Sequence, residues 1–171
     1  MYLAAQIVGV AAVTLYLVSY QFKKRKTIIF ANAVANILYV AQYIMLGAYV
    51  GAVTDALSAV AMFAAHSKDR GFIKKYFVAV AVILNIVIFI AGMLLYKNLF
   101  SLCSIAGALL QVTSYWLSEE KKLRMVSFAS APFWLIYNIS SGAIGPSVGS
   151  FLSIISIGTA ILRYDILSKN K

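Results

Sequence analysis

Apolar residues fill this chain in long blocks separated by short polar breaks. A helix needs about 20 mostly apolar residues to cross the hydrocarbon core of a bilayer. Blocks of that size lie at 2–21, 27–46, 48–66, 76–96, 98–117, 125–141 and 145–164. The breaks between them, at 23–26, 47, 67–75, 97–98, 119–122 and 142–146, are too short for a soluble domain or a flexible linker. The pattern predicts seven membrane-spanning helices.

Composition gives the same answer. Hydrophobic residues make up 63% of the 171 positions and charged residues 12%, with a mean hydropathy of +0.89. A soluble domain of this size needs a charged surface that these few residues cannot supply. Lipid can face the apolar side chains directly. The first block starts at Tyr2 with no basic region ahead of it and no small-residue cleavage site, so the chain is expected to be inserted and not exported. A lone cysteine, Cys103, excludes an internal disulfide.

The net charge of +10 first suggests a nucleic-acid partner. Its placement points elsewhere. Lys23, Lys24, Arg25, Lys26, Lys68, Arg70, Lys74, Lys75, Lys121, Lys122, Arg124, Arg163, Lys169 and Lys171 fall in alternate connections and at the C-terminal end. Only Lys97 falls on the other side. The excess of Lys and Arg in cytoplasmic loops then puts the N-terminus outside and the C-terminus in the cytoplasm. Membrane lipids are the partners this charge predicts, and nucleic acid is not.

The chain also matches itself at an offset of 95. Ser19-Tyr20 falls on Ser114-Tyr115, Gly47-Ala48 on Gly142-Ala143 and Leu57-Ser58 on Leu152-Ser153. Ala11, Leu15 and Val53 fall on Ala106, Leu110 and Val148. The unit holds three spans, and both copies carry their charged loop after the first. An odd unit repeated directly would be inverted, so one further crossing must separate the copies. The expectation is an all-α membrane protein of two parallel three-helix bundles joined by a linker helix, a 3+1+3 plan of the kind used by SWEET-type transporters. Residues 1–67 form the first unit, 68–97 the loop and linker helix, and 98–171 the second unit.

The second unit reads Trp134, Leu135, Ile136, Tyr137, Asn138, then Gly142, Ala143, Ile144, Gly145, then Gly149, Ser150, Phe151, Leu152, with Arg163 closing the last span. Over essentially its whole length the chain resembles the bacterial inner-membrane YgjV family, which is similar in plan to SWEET and PQ-loop proteins. The resemblance implies a bacterial inner membrane and a transporter-like fold. The sequence departs from PQ-loop proteins in two ways. Tyr20-Gln21 and Tyr115-Trp116 stand where those proteins carry Pro-Gln, and only Pro132 interrupts a span. A proline-hinged motion and sugar transport are therefore not implied.

Polar groups at membrane depth are costly unless they are paired or face water. Asn32, Asn36, Tyr39 and Tyr43 recur on one helical face of the second span. Their counterparts are Ser127, Ala131, Trp134 and Asn138. Two such stripes would face each other across a cavity; they would equally serve as glue between helices. Asp55 is the only carboxylate well inside a span, and its counterpart is Ser150. It reads as a substrate or proton site, or as a group near enough to the outer end to reach interfacial water. Ser58 and Ser153 coincide at mid-depth, where small residues, including the run Gly145, Gly149 and Ser153, allow close packing or line a cavity. Gln111 shares a face with Tyr115 and lies deeper. Tyr20 and Tyr115, at the span ends, read as interface anchors. Asn85, in the linker span, reads as a packing residue. His66 has no second ligand nearby in sequence, so no metal is expected. The sequon at Asn138 lies within a span. No nucleophile–base pair, paired carboxylates or phosphate loop is present, so neither an enzyme nor a cofactor is expected.

These residues suggest a small-solute transporter working by alternating access. Asn32, Asn36, Tyr39, Asp55, Ser58, Gln111, Trp134, Asn138 and Ser153 would bind a small polar solute such as a sugar, vitamin or nucleoside. The alternative is a membrane scaffold or regulatory protein without a solvated cavity.

Overall fold

The computed structural model describes residues 2–45, 49–96, 98–140 and 144–167. Within these residues the chain is all helical: α1 (Tyr2–Ser19), α2 (Arg25–Met45), α3 (Tyr49–His66), α4 (Gly71–Leu94), α5 (Leu99–Trp116), α6 (Glu120–Ser140) and α7 (Ile144–Ile161), which ends in a π-helical turn, Leu162–Ile166. Each apolar block became one helix. The proposed Gly-Ala turns at 47–48 and 142–143, and the basic residues Lys97, Lys169 and Lys171, lie outside the described residues.

The helices α2, α4 and α6 begin two to five residues before their apolar blocks. Apolarity marks the hydrocarbon, whereas the helix follows backbone hydrogen bonds, and Lys, Arg and Glu propagate a helix well. Gly71, with φ of 48°, turns the chain into α4 in a backbone conformation that side chains disfavour. Asn98 caps α5 through a reciprocal pair of bonds with Ser101.

Four segments are long and apolar enough to cross a membrane: Arg25–Met45, Gly71–Leu94, Leu99–Trp116 and Pro146–Ile166. The apolar stretches Leu3–Ser19 and Ala52–His66 are shorter. The remaining helix, α6, has the length but carries Arg124, Ser127, Ser130 and Asn138, all of them buried.

The helix α2 packs between α1 and α3, and α6 between α5 and α7. The two groups meet where α1 packs on α7 and α3 on α5. The helix α4 leans mainly on α3 and α5, and of its residues only Ile88 and Gly92 are buried. A Cβ on Gly92 would sit 2.6 Å from Cγ1 of Ile105, so the missing side chain is what brings α4 onto α5. Large apolar side chains cover the outside, among them Ile7, Val10, Phe72, Ile83 and Phe151. In water this surface would be untenable, and in lipid it is the expected one.

One end of the bundle collects the positive charge. Every described Lys and Arg lies in or beside the α1–α2, α3–α4 and α5–α6 connections or the π-helical turn. Two arginines are drawn inward there. The Arg25 guanidinium donates to the carbonyls of Tyr115, Leu117 (2.7 Å) and Ala65 (3.1 Å), acceptors at the ends of α5 and α3. Arg124 pairs with Asp165 at 3.0 Å, donates to the carbonyl of Phe22 at 3.2 Å, and lies over the Tyr164 ring. Each arginine starts a helix in one group and ties its neighbour in the same group to a helix end in the other. Lys68 adds a third tie, donating to Trp116 O and Ser118 Oγ; burial, then the charge of Arg25, lowers its pKa from the usual lysine value.

The Arg124–Asp165 pair is almost fully buried, at 2% and 7% exposure, while Lys26–Asp69 is exposed at 52% and 55%. Removing one partner of a buried pair strands the other. Asp165→Ala should therefore destabilise the protein by about 3–5 kcal/mol. Asp69→Ala should change it by about 1 kcal/mol or less. Thermal denaturation in detergent measures both; equal shifts would show that the buried pair does not hold this end together.

Candidate functional site

A cavity of about 70 Å³ opens between the two helix groups, in the half of the bundle away from the basic end. Its wall is formed by Tyr16 of α1, Asn36, Tyr39 and Tyr43 of α2, Asp55 and Ser58 of α3, Ala108 and Gln111 of α5, Ala131, Trp134 and Asn138 of α6, and Pro146, Gly149, Ser150 and Ser153 of α7. The peripheral α4 contributes nothing to it.

The helical spacing i, i+3, i+7 puts Asn36, Tyr39 and Tyr43 on one face of α2, and that face is the cavity wall. Ala131, Trp134 and Asn138 do the same on α6. Of the nine residues singled out from the sequence, eight line the cavity: Asn36, Tyr39, Asp55, Ser58, Gln111, Trp134, Asn138 and Ser153. Asn32 does not. It begins the same stripe, but one turn lower α2 is pressed against α1, and its Oδ1 accepts from Ser19 Oγ at 3.0 Å. Ser127, its counterpart, bonds Ser114 Oγ at 2.8 Å, and Ser114 is the counterpart of Ser19. Both bonds are glue between the first two helices of a group.

The wall also includes Ala108, to which the sequence reading gave no role. Ala131 stood there as the counterpart of Asn36, and Gly149 as one of the small residues that permit close packing. A Cβ on Gly149 would sit 2.8 Å from Cγ2 of Val13, so this glycine brings α7 against α1. Tyr16 carried a legible signal, since it stands 95 positions before Gln111.

Beneath the cavity, toward the basic end, the floor is a buried polar network. Tyr16 donates to Gln111 Oε1 at 3.3 Å, and Ser130 Oγ donates to the same oxygen at 2.5 Å. The Gln111 amide nitrogen donates to Tyr20 Oη at 2.8 Å and to Tyr115 Oη at 2.6 Å. The Tyr20 and Tyr115 hydroxyls stand 3.5 Å apart. Both tyrosines are completely buried, which corrects the expectation that they anchor the protein at the membrane interface. Their hydroxyls are held by Gln111 and by each other. Tyr16 with Gln111, and Tyr20 with Tyr115, are residues 95 positions apart that touch.

On the upper wall, Asn138 Nδ2 donates to Ser150 Oγ at 2.9 Å, and Ser153 Oγ donates to the carbonyl of Gly149. The Tyr39 and Tyr43 rings stack with centroids 6.4 Å apart. The Trp134 indole lies on Gly107, where a Cβ would come within 3.0 Å of the ring. Asp55 is 8% exposed and forms no ion pair or hydrogen bond among the described residues. Away from the cavity, Asn85 of α4 bonds the carbonyl of Ala81 and accepts from Thr113 of α5. The His66 ring contacts the carbonyl of Lys26 at 3.2 Å, and no cluster of His, Cys, Asp or Glu able to hold a metal lies among the described residues.

Neither a comparison with curated proteins nor one with solved structures gave a match. A comparison with protein-family models matched one family, described as bacterial inner membrane protein, over residues 3–167, which takes in every helix and every cavity residue above. The chain belongs to this family, Imp-YgjV, and is a bacterial inner membrane protein.

Proposed function

We propose that the protein is a non-enzymatic carrier of a small polar solute, working by alternating access, with the cavity as its binding site. The observation that carries this reading is a polar and aromatic cavity inside the helix bundle, built by both helix groups and floored by hydrogen-bonded side chains. Helices glued to each other need no such space. Seven crossings in a 3+1+3 plan suit the reading, with α1–α3 and α5–α7 as two parallel units of an internal repeat and α4 as the linker. The contacts between residues 95 apart support it, because a pseudo-two-fold axis between two units brings counterparts together. The basic end is then cytoplasmic, with the N-terminus outside.

In this reading two layers close the cytoplasmic side. The inner layer is the Tyr16, Tyr20, Gln111 and Tyr115 network. The outer layer is the pair of arginine ties from Arg25 and Arg124. Inward opening must separate both, so the two units rock about the contacts of α1 with α7 and of α3 with α5. A space of about 70 Å³ holds about five waters at roughly 10–15 Å³ each. Larger solutes such as nucleosides would need the cavity to widen first.

Two measurements test the reading. With Asn36→Cys as the only thiol, in a Cys103→Ser background, a water-soluble thiol reagent should label position 36 from the outside and much more slowly from the cytoplasmic side. An unreactive position 36 would favour a sealed scaffold. Gln111→Leu removes the amide donor to two buried tyrosine hydroxyls, each loss costing about 1–3 kcal/mol. It should lower the melting temperature and raise labelling of position 36 from the cytoplasmic side. Unchanged sidedness would remove this network from the gate.

A further inference from the structure

The cavity wall is chemically one-sided. It carries one ionisable acid, Asp55, and no Lys, Arg or His. The basic side chains of the protein are collected at the far end of the bundle, and Arg25 and Arg124 are already committed to carbonyls and to Asp165 there. A nearly buried carboxylate at membrane depth has to be protonated, hydrated or paired with a cation. No protein cation reaches this one among the described residues.

With Asp55, the cavity wall holds four aromatic residues, Tyr16, Tyr39 and Tyr43 from one helix group and Trp134 from the other. The faces of such rings carry negative electrostatic potential and attract cations, most effectively ones with a thin hydration shell such as alkylated ammonium groups. A hard inorganic cation instead wants a shell of six or so oxygens, and this wall offers rings in place of many of them. The remaining polar groups, Asn36, Ser58 and Ser153, can accept or share hydrogen bonds with an N–H or hydroxyl. The small volume fits a solute of about five to seven non-hydrogen atoms, counting about one atom per water position with modest widening.

From the unpaired carboxylate and the aromatic wall we infer that the cavity selects a small organic cation, an alkylated ammonium, with Asp55 as counter-ion and Tyr39, Tyr43 and Trp134 as its cage. This rests on the reading of the cavity as a solute site and narrows the solute from any small polar molecule to one charge class.

The test is a thermal-shift titration of the purified full chain with tetramethylammonium and with choline, run beside the neutral choline isostere 3,3-dimethylbutan-1-ol and beside sodium chloride at equal concentration. The two ammonium ions should raise the melting temperature in a dose-dependent way, and the isostere and sodium should not. Asp55→Asn should weaken the apparent affinity by about tenfold or more, and Trp134→Leu, which leaves the carboxylate in place, should weaken it as well. Asp55→Glu should retain binding. An equal shift from sodium overturns the proposal in favour of an inorganic-cation site. A shift from the neutral isostere or from sugars, but not from the ammonium ions, overturns it while leaving the carrier reading intact. No shift from any solute, with position 36 reactive to thiol reagent, overturns the cation assignment alone; with position 36 unreactive, both readings fall.

Discussion

The structure depends on one requirement: a polar group placed where lipid excludes water must find its partner inside the protein. Gln111 meets it most fully. Its single amide serves Tyr16, Tyr20, Tyr115, Ser127 and Ser130, drawn from α1, α5 and α6. Without it, five hydroxyls would have to be buried with fewer partners, and the two helix groups would lose a polar contact between them. The arginines at the basic end answer the same demand for the backbone. Helix ends leave carbonyls without partners, and Arg25 supplies donors to two such ends at once.

Where the requirement is met by bonding, helices lock together; where it is not, space remains. Asn32 Oδ1 and Ser127 are met by Ser19 and Ser114, and there α1 is tied to α2 and α5 to α6. One turn farther from the basic end, Asn36 and Ala131 line the cavity. Small residues widen it, and tyrosine and tryptophan rings line it. The division between glue and wall runs within a single stripe.

That division explains how much could be read beforehand. The helices were legible because long apolar blocks bounded by short polar breaks each became one helix. The faces were legible because Asn36, Tyr39 and Tyr43 keep helical spacing. Sequence could not say where along a stripe packing ends and space starts, so Asn32 was grouped with Asn36. It also misjudged Tyr20 and Tyr115. A tyrosine near a span end is usually an amphipathic anchor, but at an axis between two helix groups it meets another tyrosine and is buried. Gly149 was legible as a packing residue, and it does bring α7 against α1; Ala108 was invisible because a lone alanine announces nothing until its neighbours are known.

The buried polar face of α6 bears on how the protein is made. A segment carrying Arg124, Ser127, Ser130, Pro132 and Asn138 is a poor candidate for lateral release into lipid by itself, since an arginine or a helix-interior proline each weighs against partitioning. The strongly apolar α4 has no such difficulty and precedes α6 in the chain. In the proposed seven-crossing plan the expected order of insertion is α4 and α5 first, then α6 as a hairpin against α5, whose Gln111 and Ser114 bond its serines.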